Sequence, residues 1–221
     1  MLQHLAKSKP WNWGIAAAPQ WEVPAAEIYP LVCRWKGNHF LKCLDLGCGI
    51  GRHAFFLAEN GFQVDAFDLS SEGIEKIAKI AKERNLPIKT AIGDMLSLPY
   101  ESDLFDCLIA FHAIYHTDDT GIKKVISEIK RVLKPGGEAY ITFNSQNSSA
   151  FKNSENKHLT RNTIFKTAGH EANIPHYYAT KEGIENLLRD FQIIEFSYKE
   201  EYWQTEKYTG AHYHVLVKKH E

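Results

Sequence analysis

Apolar residues recur along this chain in two rhythms, and the rhythms alternate. Ile28, Leu31, Val32 and Trp35 stand three or four apart and predict a short helix closed by Gly37. A short apolar run over residues 40–46 predicts a strand. A glycine cluster follows, then a helix over 52–60 ended by Gly61. A second strand is expected over 62–69. Ser70 suits the N-cap of the next helix, whose stripe is Ile74, Ile77, Ala78 and Ala81. Strands over 88–92 and 105–111 come next. The cleanest stripe, Ile122, Val125, Ile126, Ile129 and Leu133, predicts a helix from Asp118 or Asp119 to a stop at Pro135-Gly136-Gly137. A fifth strand over 138–143 completes the pattern.

Strands that alternate with helices pair in parallel and need cover on both faces, so the expected class is α/β. The rhythm breaks after residue 144. Residues 145–180 are mostly polar and rich in Asn and Ser. Plain loops rarely exceed ~12–15 residues, so this stretch reads as a lid or partly helical insert, too polar for sheet or core. A last helix over 180–190 and two strands over 192–202 and 212–218 close the chain. With no helix between them, those strands should pair antiparallel at one edge.

The length of 221 residues fits a single domain. Its parts are a leader with the first helix (1–39), a core (40–144), the polar insert (145–180), and the final helix with its strand pair (181–221). The 26 Lys+Arg nearly balance 27 Asp+Glu, and no basic stripe is present. That argues against a nucleic-acid partner. Cys33, Cys43, Cys48 and Cys107 form no C-x-x-C pair and read as free thiols of a reducing compartment. No apolar stretch suggests a signal peptide or membrane span, so a cytoplasmic location without membrane contact is expected.

The densest chemical signal is LDLGCGIGRH, residues 44–53, where Gly47, Gly49 and Gly51 lie between a strand and a helix N-terminus. Glycines there allow unusual backbone angles and close approach of a ligand. A dinucleotide site usually shows G-x-G-x-x-G, but here Arg52 takes the place of the third glycine. An NAD-dependent oxidoreductase is therefore a weaker reading. Asp68, ending the second strand, can accept hydrogen bonds from two ribose hydroxyls, or can serve only the helix cap that follows. Asp65 is mid-strand and faces the other way. Asp94 follows the third strand in GDMLSLPY.

With LKPGGEAYITF after the long helix, these motifs make residues 43–143 resemble the class I S-adenosylmethionine-dependent methyltransferases, of the small-molecule type. LDLGCGIGRH is similar to the family's glycine loop, FDLS to its ribose acid and GDMLSLPY to its adenine segment. The resemblance implies a Rossmann-like, doubly wound sheet of seven strands, in the order 3-2-1-4-5-7-6 with strand 7 antiparallel. It implies S-adenosyl-L-methionine as cofactor. Asp45, Gly47, Gly49 and Gly51 would surround its methionine part, Asp68 the ribose, and Asp94 with Met95 the adenine. Phe111 and His112 would lie near the sulfonium. The absence of a pyrophosphate in that ligand agrees with the missing third glycine. The remaining alternative is a protein that binds the cofactor without catalysis or serves as a partner subunit.

Ligands of open α/β sheets lie beyond the carboxyl ends of the strands. That places a small-molecule acceptor at FHAIYHTDD, and His112, Tyr115 and His116 are candidate general bases or orienting groups, or plain loop residues. Trp11 and Trp13 of the leader read either as core aromatics or as part of a lid. His212 and His214 share one face of the last strand. With His170 or His176 they could ligate a metal, but a pocket wall is the commoner use of such a pair, and no metal is assigned. Residues 174–196 and the ending HYHVLVKK are similar to methyltransferases grouped with the tellurite-resistance enzymes, which implies small thiol or metalloid-oxyanion acceptors and leaves the acceptor open.

Overall fold

The computed structural model describes residues 9–13, 21–167, 171–202 and 209–221; much of the leader, and His170, lie outside the described residues. Five strands follow the expected order: β1 (Lys42–Leu46), β2 (Gln63–Asp68), β3 (Ile88–Ile92), β4 (Phe105–Ala110) and β5 (Leu133–Ser145). Three short strands occupy the insert, β6 (Lys157–His158), β7 (Thr163–Phe165) and β8 (Pro175–Ala179). β9 (Phe191–Tyr202) and β10 (Thr209–Lys219) end the chain. The helices are α1 (Ile28–Gly37), α2 (Arg52–Glu59), α3 (Ser71–Glu83), α4 (Asp119–Val132), α5 (Ser149–Lys152) and α6 (Lys181–Leu187).

The main sheet runs β3-β2-β1-β4-β5-β10-β9. The first five strands are parallel, and β10 is antiparallel to both neighbours. This is the seven-strand order implied by the resemblance. β10 is an inner strand of the sheet; β9 forms the edge. Central β1 is apolar on both faces, with Cys43, Leu44 and Leu46 buried, as a doubly covered parallel strand requires.

Local chemistry sets the helix starts. The Ser70 hydroxyl accepts from the Gly73 N–H, and the Asp118 carboxylate accepts from the Thr120 and Gly121 N–H groups at 2.9 and 2.8 Å. Along α4, Ile122, Val125, Ile126, Ile129 and Val132 are all buried, each such side chain contributing roughly 1.5–3 kcal/mol. In α3 the buried set is Gly73, Ile74, Ile77 and Ala81, while Ala78 is exposed. The face starts one residue earlier because α3 packs its first turn against the glycine loop, where a Cβ on Gly73 would collide with the Gly49 carbonyl. α1 is fixed by Glu138 of β5. This buried carboxylate accepts two bonds from Arg34, at 2.8 Å each, and one from the Trp35 indole at 2.9 Å.

Two expectations change. The stop at Pro135-Gly136-Gly137 does not separate helix from strand: Leu133 is already extended and β5 runs through the triplet. The register against β4 shifts there, between Phe105 and Cys107. The insert, expected to be too polar for sheet or core, supplies both. Buried Ala150, Ile164 and Tyr178 pack with Phe151 as a small core of their own, and every residue of β8 is buried. β8 pairs in parallel with Asn144 and Ser145 of β5, on the edge that β4 leaves free beyond Ile141. The insert's apolar residues fall in stretches of three to five, too short to show a period.

Candidate functional site

The loop after β1 is held by main-chain bonds: the N–H groups of Gly47 and Cys48 both donate to the Phe67 carbonyl, at 2.8 and 3.1 Å. Gly47 has φ +74°, and any Cβ there would collide with that of Ala113 in the loop after β4. The glycine thus lets two loops meet over the ends of β1 and β4. Gly49 donates its N–H to Asp68 Oδ2 at 2.8 Å, and Asp68 Oδ1 accepts from the Ser70 N–H at 2.8 Å. Ser70 is the cap of α3, so Asp68 is not needed in that role. Backbone donors thus reach both Asp68 oxygens, and a carboxylate has about four lone-pair sites to offer. Burial raises its pKa above the ordinary carboxylate value.

A cavity of about 300 Å³ opens above this loop. Gly47, Gly49, Asp68, Asp94, Met95, Phe111, His112, Tyr115 and His116 all lie on its wall. Asp45 and Gly51 do not. Gly51 serves packing: with φ +93°, its Cβ would come within 2.7 Å of Ile77, where α2 meets α3. Asp45 is buried behind the wall. Its Oδ2 has no hydrogen-bond partner, and burial, opposed by Arg52 and reinforced by Asp68, raises its pKa to about 7. Asp65 also lies off the wall, where Lys42 and Lys89 oppose the effect of its burial. Asp94 Oδ1 accepts from the Leu96 N–H at 2.9 Å.

Three tryptophans of the leader reach the cavity. Trp11, Trp13 and Trp21 form part of its wall, with successive ring centroids 6.1 and 5.9 Å apart. The Trp11 carbonyl accepts from the Ser70 hydroxyl at 3.0 Å, and the Trp13 ring stands directly over Gly49. The indole N–H groups of Trp11 and Trp13 are buried without partners. Arg52 lies over the rings of Trp21 and Phe111, at 4.9 and 5.2 Å from their centroids.

Histidines also stand on the wall, His112, His116 and His212 among them. His112 sits at φ +53°, its N–H donates to Thr142 Oγ1 at 2.6 Å, and its Nδ1 lies 3.0 Å from the Tyr115 hydroxyl. The His212 ring is 4.3 Å from that of His112, and His214 Nδ1 is 2.9 Å from the Tyr140 hydroxyl. Burial, then the neighbouring rings of His212 and His214, drives the His112 pKa well below its ordinary value. Burial likewise lowers His212 and His214 to about 4 and raises Tyr115. These groups are a neutral imidazole set beside a neutral phenol. His116 turns elsewhere, toward Glu171 and His176 of the insert: both Nε2 atoms lie 3.4 Å from Glu171 Oε1, and Lys166 pairs with the other oxygen.

Sequence reasoning found the glycine loop and its carboxylates. It assigned no role to Arg52, Trp21 or Glu171, and weighed His176 only with His212 and His214. Arg52 had a signal, since it is the first helical residue after the glycine loop. Glu171 had none, because only the fold of the insert brings it to His116.

Comparison with known proteins relates the chain to a family and to a fold. Residues 43–137 match the family model of the methyltransferase domain. Malonyl-[acyl-carrier protein] O-methyltransferase of Salmonella typhimurium is 30% identical over 112 residues, which are 51% of this chain and 42% of that protein. Sarcosine/dimethylglycine N-methyltransferase of Aphanothece halophytica is 35% identical over 104 residues, 46% of this chain and 37% of that one. The matches thus span less than half the length of these relatives. Among solved structures, a S-adenosylmethionine-dependent methyltransferase from Methanosarcina mazei superposes with a TM-score of 0.69 at 21% identity, covering 90% of this chain and 99% of the other. TehB from Haemophilus influenzae gives 0.65 at 17% identity, covering 86% and 62%. Both share the fold.

Proposed function

We propose that this chain, whose residues 43–137 match the methyltransferase domain, transfers the methyl group of S-adenosyl-L-methionine to a small-molecule acceptor. The observation that carries this reading is the meeting of Asp68 and the glycine loop with aromatic rings and neutral histidines around one cavity. Asp68 keeps free lone pairs for ribose hydroxyls, and the unpartnered indole N–H groups suit a polar ligand at the loop. Phe111 and the tryptophans offer ring faces to a sulfonium, and uncharged imidazoles do not repel it.

Methyl transfer is an in-line displacement, so alignment and exclusion of water supply much of the acceleration. His112 and Tyr115 orient the acceptor, and His112 accepts its proton where one must be lost. The leader tryptophans and the insert form the lid over the reacting centre. No helix among the described residues is long and apolar enough to cross a membrane, and the four cysteines are free. A reducing cytoplasm suits those thiols.

Calorimetry with S-adenosylhomocysteine tests the reading. Asp68→Ala should lose roughly 1.5–3 kcal/mol per charged hydrogen bond removed, and Asp65→Ala almost nothing. Equal losses at both positions, or a preference of the wild type for NAD, would overturn it. Gly49→Val gives a second check: the φ of +57° and the overlying Trp13 leave no room for a branched side chain. Binding should disappear while the circular dichroism of the sheet persists. Normal binding by that variant would reduce the loop to a turn.

A further inference from the structure

We propose that His116, Glu171 and His176 form a binding site for a divalent transition-metal ion, zinc above all, on the acceptor side of the cavity. The inference rests on the methyltransferase reading only for what the ion would do, not for whether it binds.

Three observations carry it. First, one nitrogen or oxygen from each residue lies within 4.8 Å of the other two, and both nitrogen–oxygen separations are 3.4 Å. With metal–ligand bonds of about 2.0–2.1 Å, the edge of a tetrahedron is about 3.4 Å, so those two edges are already formed. Second, His176 is fully buried and its Nδ1 lies 2.8 Å from the Ile174 carbonyl, to which it must donate. That fixes the tautomer: Nε2 carries the bare lone pair and points at a carboxylate oxygen, another acceptor. Two acceptors facing each other without a donor call for a cation between them. The Nε2 atoms of both His116 and His176 are buried and lack any hydrogen-bond partner. Third, the supporting groups are those a metal ligand set uses. A backbone carbonyl orients one imidazole, and Lys166 holds Glu171 Oε2, leaving Oε1 free to ligate.

Two imidazoles and one carboxylate suit zinc or ferrous iron rather than magnesium or calcium, which take oxygen ligands. His116 and Glu171 also line the cavity, so the remaining coordination positions open toward the acceptor. There an ion would bind a hydroxyl, thiol or oxyanion of the acceptor and favour its deprotonated form. Neutral His112 alone is a weak base for that purpose.

The test uses the full chain without a histidine tag, stripped with a chelator and titrated with cobalt(II) and with zinc(II). Visible absorption reports the coordination of cobalt, and calorimetry the stoichiometry of zinc. One ion per chain should bind, with intense visible bands typical of a tetrahedral or five-coordinate site. His176→Ala and Glu171→Gln should each weaken binding at least 100-fold, and His214→Ala should leave it unchanged. S-adenosylhomocysteine binding, measured in parallel, certifies that each variant is folded. It also separates the two ideas: its loss in the wild type sinks the methyltransferase reading and leaves the ion titration intact. No stoichiometric binding by the wild type would overturn the site. So would binding that depends on His214 and not on His176, or a His176→Ala variant that binds both ligands normally.

Discussion

Acidification from about pH 8 to about pH 5 should cost the folded protein about 6 kcal/mol through three buried histidines alone. Burial, helped by Arg52, holds His53 down at about 3. Burial and then His214 and Lys166 hold His212 at about 4, and burial and Lys199, opposed by Glu27, hold His214 at about 4. In the unfolded chain each imidazole titrates near 6.5. Their folded values are depressed, so the unfolded state takes up protons first. The stability they provide is present above about pH 6.5 and is lost as pH falls toward 4. At pH 5 each contributes a loss of about 2 kcal/mol, against a total stability of about 5–15 kcal/mol. His112, beside them, adds to the loss. Urea midpoints measured across this range should fall with acid. A substitution of His214 by Gln should make the fall shallower by its share, and an unchanged slope would show that His214 is not held neutral.

Asp45 works in the opposite direction, and its removal should be visible as a steeper acid slope. Its folded pKa of about 7 stands above the ordinary carboxylate value, so the native state holds a proton that the unfolded chain releases. Stability from this group is present below about pH 4 and is lost as pH rises through 7. The full loss is about 4 kcal/mol, and about 3 kcal/mol of it lies between pH 5 and 8. In the wild type that offsets half of the histidine effect, with buried Asp68 adding on the same side. Asp45→Asn cannot titrate. Relative to the wild type it should gain about 4 kcal/mol between pH 4 and pH 8, whatever fixed cost its amide imposes. Parallel pH profiles for the two proteins would place the Asp45 carboxylate in water, contrary to its position behind the loop.

The sheet was legible because its parallel strands and covering helices follow local rules. The stripe of α4, the Ser70 cap and the apolar run of β1 each state their element without reference to the rest of the chain. The seven-strand order came from the motifs, not from the periodicity. Gly47, Gly49 and Asp68 were readable as a ligand wall, since loop glycines and a strand-end carboxylate have few other uses. Gly51 and Asp45 belong to the same motif and yet stand behind the wall, because a short motif does not say which of its residues face inward. β8 escaped notice for a different reason. Five buried residues that include Pro175, His176 and two tyrosines have no apolar alternation to detect. His116, Glu171 and His176 meet only through that strand, so their grouping is a tertiary fact.

Ser145 and Ala179 are register partners in the pairing of β5 with β8. The chain between them therefore leaves the end of β5 and returns beside it at a neighbouring point, like a drawer in a cabinet. The glycine loop and Asp68 lie outside the drawer, on other strand ends. Its contents nonetheless reach the same cavity, through Glu171 and Ile174. Directed recombination with relatives can therefore cut near these two residues and exchange one part of the cavity wall while keeping the glycine loop and Asp68 as they are.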